Sequence, residues 1–298
     1  MSALATLEGL VREAPAIEEF GSGRVLRGAR DYPESLEHLF DPPPVLHWKG
    51  NGQLLGARPA VAIVGARAAS EAGREIARTL ARDLAVAGCL VISGLARGID
   101  AAAHEGALDG GGATLAVLGT GIDICYPPEH ARLSQRIRSR GLLVCEFPAR
   151  TEPRRHHFPR RNRILAALSD VLVVVEGGEK SGARSTVDHA LDLGRDVMAV
   201  PRDILHAGSV LPNRLIVDGA RPVLGAADVL AALPLHARRD VEPLRDRLLE
   251  LMQSGPRAQG ALVEACGGAD LRQLLELLVQ LELEGVVRRA NGKYERLA

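Results

Sequence analysis

The sequence predicts an α/β protein: a parallel sheet flanked by helices, followed by a small module of helices and a β-hairpin. Three observations predict this. From Ala60 onward, short apolar runs alternate with amphipathic stretches, the pattern of strands joined by crossover helices. Several runs are apolar at consecutive positions, as strands buried on both faces must be. From Leu244 the strands give way to helical periodicity, which ends in a final pair of short runs.

In chain order, strands are expected at Ala60–Val64, Cys89–Ser93, Ala113–Leu118, Leu142–Glu146, Val171–Glu176 and Val197–Val200. Helices are expected between them, at Glu71–Ala87, Ile99–Leu108, Glu129–Arg138, Asn162–Ser169 and Thr186–Leu193. Most strands end in glycine or a polar residue. That places Gly65, Ser93, Gly94, Gly119, Gly177 and Gly178 at the carboxyl edge, where open α/β sheets bind ligands.

Residues 1–58 hold Asp41-Pro42-Pro43-Pro44, whose prolines forbid a continuous helix. They are read as an arm or a shortened helical subdomain. Residues 59–236 form the sheet domain, with Arg221–His236 completing it, and Ala237–Pro243 reads as a charged linker. In residues 243–298, helices are expected at Leu244–Gln253, near Gln259–Cys266 and at Asp270–Leu283. The runs Val286–Arg289 and Lys293–Leu297 then flank Asn291-Gly292, a strong hairpin-turn signal. Three helices and a terminal hairpin predict a winged-helix module.

Apolar residues make up 46% of the 298 and charged residues 25%, which excludes disordered and fibrous classes. Cations and anions balance at 37 each, so no global field draws the chain to nucleic acid or membrane. Any basic surface must be local. Only Lys49, Lys180 and Lys293 are lysines; codon bias explains the arginine excess as readily as phosphate recognition does. Met1–Phe20 has no basic segment followed by an apolar one, so no secretory signal is expected. With no uninterrupted apolar run of membrane-spanning length either, a cytoplasmic protein without membrane association is predicted. Cys89, Cys125, Cys145 and Cys266 lack CxxC spacing, which predicts buried free thiols in place of a zinc site or redox dithiol.

Familiar cofactor motifs fail on inspection. Gly119-Thr120-Gly121 follows a strand, but Ile124 stands where a dinucleotide fingerprint needs its third glycine, and Pro127-Pro128 interrupts the helix that should follow. Lys180-Ser181 resembles the end of a phosphate-binding P-loop, yet Val174 and Glu179 occupy the glycine positions. No GxSxG or HExxH occurs, and His104, His189 and His206 lack metal-ligand spacing. No cofactor or metal is expected.

The informative anomaly is local charge. Residues 131–163 hold ten arginines against two acids, Glu146 and Glu152. The densest part, Arg154-Arg155-His156-His157-Phe158-Pro159-Arg160-Arg161-Asn162-Arg163, sets an aromatic among cations just before an expected helix start. Such a cluster suits phosphates on arginine and helix amides, with a base stacked on a ring. A solvated charged face with internal ion pairs explains the composition equally well, so position decides. The loop Gly177-Gly178-Glu179-Lys180-Ser181-Gly182-Ala183-Arg184-Ser185 lies at the same carboxyl edge, with Gly65-Ala66-Arg67 and Ser93-Gly94-Leu95-Ala96-Arg97-Gly98. Several glycine-bearing loops, each with a cation, predict an anion groove longer than one mononucleotide.

At these residues the chain resembles the DNA-processing protein A family (DprA, also called Smf), from Tyr32 to the end. The resemblance rests on Val64-Gly65-Ala66-Arg67, Ser93–Asp100 with Ala103-His104, Val117–Asp123 with Tyr126-Pro127, and Phe158–Ile164. It continues through Lys180-Ser181-Gly182, Gly194-Arg195, Ala199-Val200-Pro201, Asn213–Ile216 and Gly219-Ala220. It implies an extended Rossmann-like domain that binds and protects single-stranded DNA, dimerises, and loads a RecA-type recombinase during natural transformation, with no catalytic activity. Carried onto this chain, Arg67, Arg97, Arg155, Arg161, Arg163, Lys180 and Arg184 would meet phosphates. Phe158 would stack on a base, with Asn162, Ser181 and Gly182 completing the site.

The chain also departs from the family pattern. Ala183-Arg184-Ser185-Thr186 follows Ser181-Gly182 where the family has a serine, a small apolar residue and an isoleucine-threonine pair, and Arg202 replaces a glycine. The stretch before Tyr32 is short for the family's N-terminal helical domain. The homodimer is expected to use the apolar stretch Leu211–Leu233.

An alternative from another class is a Rossmann-like nucleotide phosphoribohydrolase of the lysine-decarboxylase-like group. That activity needs a GGxGT loop and a following glutamate, whereas Gly177-Gly178 here precedes Glu179-Lys180-Ser181. A transcription regulator would need a basic recognition helix. Asp270–Leu283 offers Arg272 against Asp270, Glu276 and Glu282, and its Leu271, Leu274, Leu275, Leu278 and Leu281 follow core spacing. The module is therefore expected to serve protein interaction or regulation, outside the main DNA site.

Overall fold

The computed structural model describes residues 21–233, 241–253, 255–266, 271–290 and 293–297. Part of the expected linker and the Asn291-Gly292 turn lie outside the described residues. The chain divides into two compact units, Met1–Ala232 and Leu233–Ala298.

The first unit is built on a nine-stranded sheet: β1 (Gly21–Leu26), β2 (Val45–Gly50), β3 (Ala60–Gly65), β4 (Leu90–Ser93), β5 (Thr114–Val117), β6 (Leu142–Cys145), β7 (Val171–Glu176), β8 (Asp196–Ala199) and β9 (Arg221–Pro222). Its order is β1-β2-β6-β5-β4-β3-β7-β8-β9. Strands β3 to β9 run parallel. From β3 the chain steps outward to β6, then returns to lay β7 on the other flank of β3. This reversal opens a crevice above the carboxyl ends of β3 and β7. Both strands are almost wholly buried, as their unbroken apolar runs require.

The helices are α1 (Glu34–Glu37), α2 (Glu71–Val86), α3 (Ile99–Asp109), α4 (Ala131–Arg140), α5 (His157–Leu168), α6 (Ala183–Asp192), α7 (Val210–Val217) and α8 (Ala226–Ala232). In α2 the Ser70 side chain caps the first turn by accepting from the Gly73 amide at 3.0 Å. Ala77, Leu80, Ala81, Leu84 and Ala85 form its buried stripe. Close packing of α2 on α3 depends on Gly106, where a Cβ would lie 2.0 Å from the Arg78 carbonyl oxygen.

Two findings correct the sequence reading. Residues 21–50, expected as an arm or subdomain, supply β1 and β2, which extend the sheet antiparallel from β6. Leu46 and Trp48 alternate inward, and Leu36 and Leu39 join the same core. The prolines forbid a long helix but not two strands on either side of them. The second correction concerns α5, expected to start at Asn162 but starting at His157. Pro159 sits in its first turn, where a missing N–H costs nothing. The run from Phe158 to Arg163 is therefore helical, and of its arginines only Arg154 and Arg155 precede the helix.

The second unit contains α9 (Val241–Gln253), β10 (Arg257–Ala258), α10 (Gln259–Ala265), α11 (Leu271–Leu283), β11 (Val287–Ala290) and β12 (Lys293–Arg296). Its three strands are antiparallel, in the order β10-β12-β11. Leu248, Met252, Leu262, Leu274, Leu278, Leu281, Val287 and Tyr294 form its core. This is the expected winged helix, with β10 as an unforeseen third strand. Among the described residues, no helix is long and apolar enough to cross a membrane.

Candidate nucleic-acid interface

A cleft of about 750 Å³ opens at the carboxyl edge, above the reversal between β3 and β7. Its lining includes Arg67, Arg155, Phe158, Arg161, Asn162, Lys180, Ser181 and Gly182. Arg97, Arg163 and Arg184 do not line it.

The turn after β4 forms part of the floor. Gly98 adopts a left-handed φ of +77°, and a Cβ there would lie 2.3 Å from the Ala66 carbonyl oxygen. Asp100 Oδ2 accepts from the amides of Gly94 at 3.1 Å and Ala96 at 3.4 Å. His104 Nε2 accepts from the Leu95 amide at 3.3 Å, and Nδ1 donates to Thr114 Oγ1 at 2.7 Å. The Thr114 hydroxyl donates onward to the Val91 carbonyl at 2.7 Å, which fixes the imidazole as neutral. Burial, with Arg161 nearby, holds the His104 pKa down at about 3. Burial raises that of Asp100, against the attraction of Arg161. Both residues shape the turn from below and stay out of solvent.

Arg161 lies under the same turn. Its guanidinium packs where a Cβ at Gly94 would stand and donates to the Val117 carbonyl, while its Nε has no hydrogen-bond partner among the described residues. Burial lowers its pKa to about 10, so it stays charged at neutral pH as a fixed cation beneath the cleft. Arg163 is also buried, and its Nη2 pairs with Glu146 at 2.6 Å. Asn162 Nδ2 donates to Ser185 Oγ at 2.7 Å and to the Gly182 carbonyl at 3.3 Å, tying α5 to the start of α6. Ser181 Oγ accepts from the Ala183 amide at 3.3 Å.

The solvent side carries the free charge. Arg67, Arg154, Arg155 and Lys180 are exposed and line the cleft. Among the described residues, no carboxylate ion-pairs with any of them. Arg97 instead pairs with Glu129, and Arg184 with Asp188 at 2.9 Å. Phe158 is half-buried among these cations. The Arg67 guanidinium carbon lies over its ring at 4.9 Å from the centroid, and the Tyr126 ring is 5.6 Å away at a 38° tilt. Gly119 makes room for the ring, since a Cβ there would lie 2.8 Å from Phe158 Cδ1.

The loop bearing Arg67 is fastened at both ends by one residue. Glu176, at the end of β7, accepts from the Ala66 amide through its carbonyl at 2.7 Å. Its carboxylate accepts from the Ser70 amide at 3.0 Å and the Ser70 hydroxyl at 2.7 Å. Arg202 adds Nη2 contacts of 3.2 Å to Glu176 and 2.9 Å to Ser70 Oγ. Sequence reasoning noted Arg202 only as a departure, took Glu176 as a strand end and gave Tyr126 no role. A carboxylate closing an otherwise apolar strand was the one available signal. Among the described residues, no group of three or more His, Cys, Asp or Glu side chains is arranged to hold a metal ion.

The family model described as DNA recombination-mediator protein A matches residues 24–234, and that described as DprA winged helix domain matches residues 232–293. The DNA processing protein DprA of Bacillus subtilis is 35% identical over 234 residues, which cover 78% of this chain and 79% of that protein. The DprA of Streptococcus pneumoniae is 42% identical over 200 residues, covering 67% and 70%. The X-ray structure of the Streptococcus pneumoniae protein superposes with a TM-score of 0.69 at 37% identity, covering 76% of this chain and 78% of that one. A DNA processing protein A from Helicobacter pylori, solved for its single-stranded DNA binding mode, gives 0.64 at 28% identity, covering 72% and 95%.

Proposed function

Since this chain belongs to the DNA recombination-mediator protein A family, we propose that it binds single-stranded DNA, shields it and loads a RecA-type recombinase onto it during natural transformation. One observation carries the reading: four exposed cations with no carboxylate ion pair among the described residues line a cleft at the carboxyl edge together with a half-buried aromatic. Cations of this kind bind phosphates whatever the sequence, and rings or guanidinium planes bind bases. Arg67, Arg155 and Lys180 take the backbone. Arg161 strengthens the field from below, and Ser181 and Gly182 line the path at the start of α6. Arg97 and Arg184 join only by leaving Glu129 and Asp188, and Arg163 serves the fold through Glu146.

The protein acts by binding, without catalysis, and as a homodimer. Supporting the dimer, Val210 and Val217 of α7 and Leu224 after β9 are 47%, 76% and 83% exposed, apolar side chains that a second copy would cover. Two clefts on one strand then raise avidity without new contacts. Titration of labelled single-stranded and double-stranded oligonucleotides at two salt concentrations tests the DNA reading, with single strands expected to bind tighter and both to weaken with salt. Equal affinity for the two would overturn it. Sedimentation showing only a 31.7 kDa species at micromolar concentration would remove the dimer.

A further inference from the structure

Two of the loops that line the cleft meet at one buried ion pair. Arg67 stands on residues 66–70, after β3, and Lys180 on residues 177–182, after β7, and both stretches are fastened beside Glu176. The Glu176 carboxylate has little room to move. A Cβ at Gly73 would lie 2.0 Å from its Oε2, and one at Gly208 would lie 2.5 Å from its Cγ. Its partner Arg202 follows β8 and has a side chain only 8% exposed. The Asn213 side chain of α7 holds the Arg202 backbone, with Oδ1 accepting from its amide at 3.0 Å and Nδ2 donating to its carbonyl at 2.8 Å. Anchored there, Arg202 Nη2 reaches Glu176 Oε2 at 3.2 Å and Ser70 Oγ at 2.9 Å. Arg202 itself does not line the cleft.

Stability is a poor explanation for this pair. Taking both charges out of water is costly, and an apolar side chain of similar volume often serves stability as well. Arg202 Nη1 is moreover buried with no hydrogen-bond partner among the described residues. What the pair supplies is fixed geometry, because one Nη2 joins the loop bearing Arg67 to the strand end from which the loop bearing Lys180 departs. We propose that Arg202 is a positioning residue for DNA: through Glu176 and Ser70 it holds Arg67 in place relative to Lys180, so that both meet the phosphates of one strand without further ordering. A loop left unfastened gives up conformational freedom when DNA binds, and that entropy is subtracted from the affinity. Arg202 serves the single-stranded DNA reading, on which this role rests, without touching DNA.

The test titrates a short oligodeoxythymidylate, over a range of salt concentrations, with the full chain, Arg202→Met, Arg67→Ala and the double variant. Arg202→Met removes the ion pair and keeps most of the volume. It should weaken binding by roughly 3- to 30-fold, as for side chains joined in one network. It should also flatten the salt slope by about 0.7, the value of one phosphate contact on a single strand, although Arg202 is buried. In the Arg67→Ala background the same change should cost less than about twofold. Arg202→Lys, which keeps the charge and a donor, should bind more tightly than Arg202→Met. A urea midpoint that falls while affinity and salt slope stay at the parent's values makes Arg202 a fold residue only and overturns the proposal. Losses that add fully in the double variant overturn it too, since Arg202 then acts independently of Arg67. If Arg202→Met does not fold, Arg202→Gly, the residue of the family pattern, is measured in the same way. A parent that does not bind the oligonucleotide overturns the DNA reading, and this role with it.

Discussion

Arg155 and Arg163 belong to one basic run, yet the fold gives them opposite surroundings. Arg155 is exposed on the cleft, whereas Arg163 is buried against Glu146 at 2.6 Å. Arg163→Ala leaves Glu146 with Arg160, at 3.1 Å, as its remaining ion-pair partner, and should cost about 1–3 kcal/mol in a urea titration for the lost buried charge-assisted hydrogen bond. Arg155→Ala should change stability by no more than about 0.5 kcal/mol, while lowering the salt slope of single-strand binding by about 0.7. The reverse pattern would mean that the two arginines had exchanged roles. His104 supports a pH prediction. Its pKa is about 3 when folded and 6.5 otherwise, so the unfolded chain binds the extra proton between those values. Its contribution is complete above pH 6.5 and lost as pH falls, by about 1.4 kcal/mol per unit. Asp100, whose pKa is raised, acts in the opposite direction, so the informative quantity is the difference between the parent and His104→Gln denaturation curves across pH 4–7. A difference that does not change with pH would show that His104 is not held neutral.

At the scale of elements, the α2–α3 contact is the most exacting. Gly106→Ala would place a methyl 2.0 Å from a backbone oxygen of α2. That oxygen cannot rotate away, so the helices must part, at an expected cost of about 1–3 kcal/mol or more. A urea midpoint within error of the parent would contradict the packing. The core strands were legible in the sequence because burial on both faces writes an unbroken apolar run, as in β3 and β7. Neither β1 nor β2 was legible, since four of the six residues in β1 are exposed and β2 alternates inside a stretch marked by prolines. The site was legible as a set of residue types, but not in its division of labour. Composition cannot distinguish an arginine that pairs inward, such as Arg163, from one that stays free, such as Arg155. That choice depends on Glu146, which the fold delivers from β6. The early start of α5 was hidden by Pro159, which reads as a helix breaker unless it falls in the first turn.

At the scale of the whole molecule, a chain of zero net charge sets Arg67, Arg154, Arg155 and Lys180, exposed and without a carboxylate ion pair among the described residues, around one cleft. The winged-helix unit adds no net charge to that, since residues 244–298 hold eight cations and eight acids and Arg288 pairs with Glu295. A truncation ending near Arg239 should therefore keep most of the single-strand affinity. Loss of binding by a truncated protein that still folds would move the main site into the second unit. The far margin of the sheet carries a separate consequence. Strand β9 has two residues, and its Pro222 offers no N–H. An edge so short, with a missing donor, is a poor template for hydrogen-bonding a strand from another molecule. A homodimer of the kind proposed, if it meets at the neighbouring apolar residues, would join through side chains and would not continue the sheet across this edge.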